Sequence, residues 1–186
     1  IAESGEIAEL CPRADIIVLA VPPLTICDIL GEVLKHKRSD AVVTDVASVK
    51  SHLFTSGHDF PAEAMANFVP AHPIAGSEQS GYSAAIDDLF AERNVILTPH
   101  EHNSAKAVAL VNVLWRELGA NVLGMTSAKH DEVLAATSHL PHLLAYAIVD
   151  VLLKQEQSED IFRYAAGGFA DFSRLASSDA KMWSDI

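Results

Sequence analysis

The chain has 186 residues, 49% of them hydrophobic and 20% charged, which supplies a packed core and is too few charges for a disordered chain. At roughly 100 to 200 residues per domain, this length holds one full domain or two incomplete ones. Asp and Glu number 25 against 13 Lys and Arg, and the net charge of −12 repels a phosphate backbone, which argues against nucleic acid as a partner.

Cys11 and Cys27 sit in apolar surroundings and read as buried thiols rather than a disulfide framework or zinc site, so a reducing, cytoplasmic compartment is expected. Residues 16–21, IIVLAV, form a short β-branched run expected to be a parallel strand buried on both faces. Pro22 and Pro23 end it. Residues 24–36 follow with Ile26, Ile29, Leu30, Val33 and Leu34 spaced as one buried stripe of a helix. Further strands are expected at 41–46, 67–71, 94–99 and 120–125. Asn103 and Ser104 offer caps for a helix that places Val108, Val111, Trp115 and Leu118 on one face, with Gly119 suited to its exit. From Ser127 onward the pattern is helical, and the change of period divides the chain into 1–126 and 127–186. Neither the run at 16–21 nor the one after His142, cut by Asp150, reaches the roughly 20 apolar residues of a membrane span. No signal peptide pattern opens the chain, and its start at Ile1 is that expected of a fragment.

Strands alternating with helices imply a parallel α/β sheet, whose ligands collect outside the carboxyl ends of the strands. Four motifs lie at or beyond such ends. AVPP (20–23) terminates a strand. In DVASVK (45–50) a strand runs out at Val46, and Ser48 either caps the next helix or serves a ligand. AHPIAGSEQSG (71–81) is poor in regular structure and lines either a surface or a cavity. There His72 is either an acid or base, since an imidazole titrates near neutrality, or a hydrogen-bonded loop residue, and Glu78 is either functional or solvated. HEH (100–102) reads as a solvated turn.

SHLPH (138–142) sets His139 and His142 three apart on a helical pattern, where Pro141 cannot donate to the carbonyl of Thr137 and a kink is expected. A metal site is the rival use of this pair, but no cysteine is near and no HExxH or third ligand has suitable spacing. GGFADFSRLASSDAKMWSDI (167–186) brings Arg174 and Trp183 into a chain short of basic residues. Arg174 is either a carboxylate clamp or the partner of Asp171 or Asp179.

AVPP, DVASVK, HPIAGSEQSG, SHLPH and GGFADFSRLASSDAKMW occur in this order over nearly the whole chain, which resembles the prephenate and arogenate dehydrogenases of tyrosine biosynthesis. The resemblance implies the C-terminal part of a Rossmann-type parallel sheet domain, then the start of an all-helical dimerisation domain, with the active site in the cleft between them. It also implies that the family's first strand and GxGxxG turn would precede Ile1 and further helices would follow Ile186, so the chain alone is expected to bind nicotinamide cofactors poorly.

The implied activity is hydride transfer from the substrate's C4 to NAD or NADP with loss of the ring carboxylate as carbon dioxide. By resemblance, His72 takes the hydrogen bond of the C4 hydroxyl and Ser48 bridges His72 and the nicotinamide. Val21, Pro22, Asp45 and Ser48 build the cofactor side, Arg174 clamps a substrate carboxylate, and His139, His142, Glu78 and Trp183 line the pocket. Since the base must be neutral, activity is expected to fall as His72 protonates near a pH of about 6.5. Ala170 stands where many relatives carry a larger, often basic side chain. Two other readings stay open: a β-hydroxyacid dehydrogenase, which would present a catalytic lysine in the helical region, and a non-catalytic nucleotide-binding or regulatory module.

Overall fold

The computed structural model describes residues 4–76, 84–178 and 183–184. It divides into two units, one of residues 1–75 and 86–131, the other of residues 76–85 and 132–186.

The first unit opens with helix α1 (Ile7–Leu10) and strand β1 (Ile16–Leu19). Pro22 and Pro23 turn the chain through a single 3-10 turn into α2 (Ile26–His36), whose Ile26, Cys27, Leu30 and Val33 are buried. Strand β2 (Val42–Asp45) follows, then α3 (His52–Thr55), α4 (Ala62–Met65) and β3 (Phe68–Val69). β1 pairs with β2 and β2 with β3, all parallel, and Leu19 lies beside Asp45 at the carboxyl ends. Val42 and Val43 point to opposite faces of β2. Val43 packs with α2, Leu53 and Phe68, whereas Val42 packs with Val69 and with Ala107, Val111 and Trp115 of a later helix. Cover on both faces leaves all four residues of this strand buried, Thr44 and Asp45 included.

The expected strand at 67–71 is two strands, because Pro70 has no N–H to continue the ladder and its carbonyl instead accepts from Thr98 N at 2.9 Å. β4 (Ala71–Pro73) runs antiparallel to β5 (Asn94–Leu97), and β5 is parallel to β6 (Asn121–Gly124). β4, β5 and β6 thus form a second three-stranded sheet, mixed because β4 is antiparallel. The described part of the 74–93 connection holds turns instead of the crossover helix that a parallel pair commonly uses. Among the described residues β1 pairs on one side only, with β2, and Val18 is exposed beside an apolar groove of about 400 Å³ lined by Ile7, Ile16 and Val18.

Between β5 and β6, α5 (Ala105–Glu117) is capped by Ser104, whose Oγ accepts from Ala107 N at 3.1 Å. Asn103 does not cap; its amide donates to the carbonyls of Phe68 and Met65. Leu118 leaves the buried face and is exposed. Gly119 takes φ +83 at the exit, and a Cβ there would lie 3.2 Å from Ala91 Cα.

From Ser127 to Ser178 the described residues form helices and turns only: α6 (Ser127–Leu134), a π-turn (Ala135–His139), α7 (Leu140–Leu153), α8 (Ser158–Arg163), α9 (Gly167–Ser173) and a 3-10 turn (Arg174–Ser177). The first unit runs through Asp131, five residues past the division at 126, because His130 and Asp131 are bonded into it. The kink expected at Pro141 takes the form of the π-turn, a widened turn that accommodates the donor missing at Pro141. Residues Ser127–Leu153 make one helix, long and apolar enough by length and composition to cross a membrane, with little of it buried. Leu140, Leu143, Leu144, Ile148 and Val151 leave an uncovered apolar stripe on α7.

Gly119→Ala meets both the left-handed backbone and the Ala91 contact, and a cost of about 1–2 kcal/mol or more follows. A lower melting temperature is expected; an unchanged one in a thermal scan contradicts the tight exit.

Candidate active site

The carboxyl end of β2 carries the only two charges in the run 41–50, Asp45 and Lys50. Both side chains have no exposed surface and they form an ion pair. Asp45 Oδ2 also accepts from Ala47 N at 2.9 Å and Oδ1 from Ala71 N at 3.1 Å, while Lys50 Nζ donates to the Ala71 carbonyl at 2.8 Å. Burial pushes the Lys50 ammonium down, and the carboxylates of Asp45 and Asp131 oppose that shift. The pair joins β2 to β4 and fixes the turn that carries Ser48.

Ala71 precedes His72, so the pair also sets the position of that imidazole. His72 Nδ1 lies 2.8 Å from His130 Nε2, and His130 Nδ1 lies 2.7 Å from Asp131 Oδ1. His130 is fully buried. Asp131 in turn accepts Lys50 N on Oδ1 at 2.9 Å and Ser51 N on Oδ2 at 2.8 Å. Burial pushes the His130 pKa down, against the pull of Asp131. Burial also raises the Asp131 carboxyl, but the hydrogen bonds from His130, Ser51 and Lys50 outweigh it and hold the group below the usual carboxylate range.

The sequence-derived residues divide. Val21, half-buried, and Pro22, exposed, lie just past β1, and Ser48 lies half-buried just past β2. Asp45 is a correction: with no exposed surface and both oxygens taken from within, it supports the strand-end surface from beneath and presents no oxygen to a ligand. Among the described residues no hydrogen bond joins Ser48 to His72, whose Nδ1 is engaged by His130. His100 is no solvated turn residue, being half-buried with Nε2 3.0 Å from the Phe68 carbonyl and its pKa lowered by burial.

In the helical unit, the SHLPH histidines share an aromatic partner. Trp183 stacks on His142 at 3.9 Å and 22°, and meets His139 edge-on at 5.8 Å. His142 Nδ1 donates to the Ser138 carbonyl at 2.9 Å. Tyr146 donates its hydroxyl to the Ser178 carbonyl at 2.6 Å, tying α7 to the chain beyond Arg174. Arg174 is exposed at the first position of its 3-10 turn. Glu78 and Asp179 lie outside the described residues. Among the described residues no three His, Cys, Asp or Glu are grouped to hold a metal ion.

Residues 2–124 match the prephenate dehydrogenase nucleotide-binding domain, and residues 126–186 match the prephenate dehydrogenase dimerization domain. The chain belongs to the prephenate dehydrogenase family. A cyclohexadienyl dehydrogenase of Zymomonas mobilis is 35% identical over 98% of the chain and 62% of its own length. The structure of an Aquifex aeolicus prephenate dehydrogenase in complex with hydroxyphenyl propionate and NAD+ superposes with a TM-score of 0.86 at 37% identity, covering 98% of this chain and 63% of that one. A Synechocystis arogenate dehydrogenase gives 0.75 at 28% identity, covering 96% of this chain and 64% of that one. The chain thus spans less than two thirds of the length of these relatives.

Sequence reasoning missed Lys50, His130 and Asp131. The available signal for Lys50 was a charge pair in an otherwise apolar and small-residue run, since a charge buried there must find a partner. Nothing local points from His130 to His72, 58 residues away.

Removing one partner of a buried ion pair leaves the other uncompensated at a cost of about 3–5 kcal/mol. Asp45→Ala is expected to lower the melting temperature sharply, with Asp45→Leu/Lys50→Met recovering much of the loss. Full stability in Asp45→Ala contradicts the pairing.

Proposed function

We propose that the protein is a nicotinamide-dependent prephenate or arogenate dehydrogenase, forming 4-hydroxyphenylpyruvate or tyrosine by oxidative decarboxylation. The observation that carries this reading is His72, an imidazole locked onto β4 by the Asp45–Lys50 pair, in a chain of this family. The relatives' names support the substrate class, and the A. aeolicus complex supports a hydroxyphenyl ligand and NAD+ for this chain as well.

The strand-end surface suits a nicotinamide cofactor, NAD or NADP. Val21 and Pro22 offer apolar contact, Ala47 is small, and the Ser48 hydroxyl has no hydrogen-bond partner among the described residues. A nicotinamide held there by Val21, Pro22 and Ser48 would supply the acceptor for the C4 hydride. His72 receives the C4 hydroxyl proton as that hydride departs. The electrons of the breaking bond to the ring carboxylate enter the ring, carbon dioxide leaves, and the proton returns to the phenolate oxygen. Arg174 binds a substrate carboxylate through its bidentate fork, and His139, His142, Glu78 and Trp183 line the substrate side.

The β-hydroxyacid reading loses support from Lys154, which makes an exposed ion pair with Asp150 at 2.6 Å. Lys181 lies outside the described residues. The uncovered stripe on α7 suits a second copy of the chain, consistent with the family's dimerization domain, so the protein acts as a homodimer. Buried free thiols at Cys11 and Cys27 fit a cytoplasmic location.

Full-length protein incubated with prephenate or arogenate and either cofactor is expected to yield carbon dioxide and reduced nicotinamide in equal amounts. His72→Asn is expected to lower turnover by about 10² to 10⁴. Arg174→Ala strands a carboxylate at a cost of about 2–5 kcal/mol, so the Michaelis constant should rise roughly 30-fold to several thousand-fold with cofactor affinity unchanged. Absence of cofactor reduction with both substrates contradicts the activity, and an unchanged constant in Arg174→Ala contradicts the clamp.

A further inference from the structure

We propose that His130, held by Asp131, is a positioning residue that fixes the tautomer of His72, placing the basic lone pair on Nε2. The proposal rests on the reading of His72 as the base and adds the group that orients it.

The direction of each hydrogen bond follows from the end of the chain. An ionised Asp131 has no proton to give, so Oδ1 accepts from His130 Nδ1, which therefore carries hydrogen. In the neutral ring, His130 Nε2 is then a lone pair. At 2.8 Å from His72 Nδ1 it can only accept, so Nδ1 of His72 carries the hydrogen and Nε2 does not. The opposite arrangement needs a doubly protonated His130, which would donate to His72 Nδ1 and leave the hydrogen on Nε2, where it silences the base. Full burial of His130 opposes that cation.

Both ends are fixed. Asp131 is pinned by the backbone N–H groups of Lys50 and Ser51, and the backbone before His72 is pinned through both polar groups of Ala71. The charges facing His130 are Asp131 from its own helix, and Lys50 and Asp45 from the end of β2 and the turn beyond. Lys50 opposes a second proton on His130, and the two carboxylates favour it. When His72 takes a proton on Nε2, the imidazolium keeps its Nδ1–H bond, and Asp131 behind His130 stabilises the charge. The same logic orients the imidazole in a Ser-His-Asp triad, with a histidine interposed here between base and carboxylate.

A purely structural reading makes His130 a satisfied core histidine and leaves the His72 tautomer unconstrained. The test is the ¹⁵N spectrum of histidine-labelled full-length protein at pH about 8, with His72 assigned by its loss in His72→Asn. The expected result is a protonated Nδ1 and an unprotonated Nε2 in the wild-type protein, a measurement that needs no variant of His130. Hydrogen on Nε2 of neutral His72 overturns the proposal.

Kinetics separate it from the underlying reading. His130→Leu is expected to lower turnover by about 10² to 10⁴ with little change in the Michaelis constant, the scale reached when a base is held in the wrong tautomer or unsupported. His130→Gln, which keeps an acceptor for His72 Nδ1, is expected to recover part of that loss and to shift the acidic limb of the pH profile. If His72→Asn is inactive while folded His130→Leu turns over normally, the positioning role fails alone. If His72→Asn turns over normally, the base assignment fails and takes this proposal with it.

Discussion

A lysine and an aspartate with no exposed surface, paired at the tip of β2, are the interaction on which the rest of the sheet unit depends. Burying two charges is costly unless their remaining donors and acceptors are satisfied. Here the backbone satisfies them: Asp45 takes the amides of Ala47 and Ala71, and Lys50 takes the Ala71 carbonyl. The requirement to satisfy a buried ion pair thus determines where three pieces of chain meet. One residue beyond Ala47 is Ser48, and one beyond Ala71 is His72, so the side chains proposed to serve cofactor and substrate take their positions from the pair. The backbone of Lys50 extends the arrangement to Asp131, which it holds together with Ser51.

This architecture explains which parts of the sequence were readable. Period and composition locate β1, β2, β5 and β6 to within about two residues, because each holds a short apolar run bounded by turn or polar residues. The stripe of α2 and the Ser104 cap of α5 were legible for the same local reasons. What local pattern cannot carry is pairing across long separations. Nothing in residues 67–73 shows that Pro70 splits a strand and turns its second half antiparallel, since that depends on β5 arriving beside it. Likewise Asp45 looked like a cofactor ligand by resemblance, and only its partners, 5 and 26 residues away, show that its oxygens are used internally. The relay from His72 to Asp131 crosses nearly 60 residues and has no sequence period at all.

The helical unit follows a different rule. Its longest helix carries an apolar face that the described residues leave exposed. Polar groups interrupt it where the π-turn lies, and there His139 and His142 gather around Trp183. Proline at 141 serves this arrangement by forbidding a regular turn. The motif SHLPH therefore encodes a local widening of a helix with two imidazoles on it, which the spacing alone describes as a kink.

The buried pair holds the strand ends and the turn that carries Ser48 as one rigid piece. Amide hydrogen exchange of the full-length protein, resolved residue by residue, tests it directly. The amides of Ala47 and Ala71 bond to Asp45 and not to a neighbouring strand, and they should exchange as slowly as those of Val43 and Thr44, opening only with global unfolding. Exchange of Ala47 and Ala71 at the rate of exposed loop amides, with Val43 still protected, would show that the pair does not hold the site and would contradict the account.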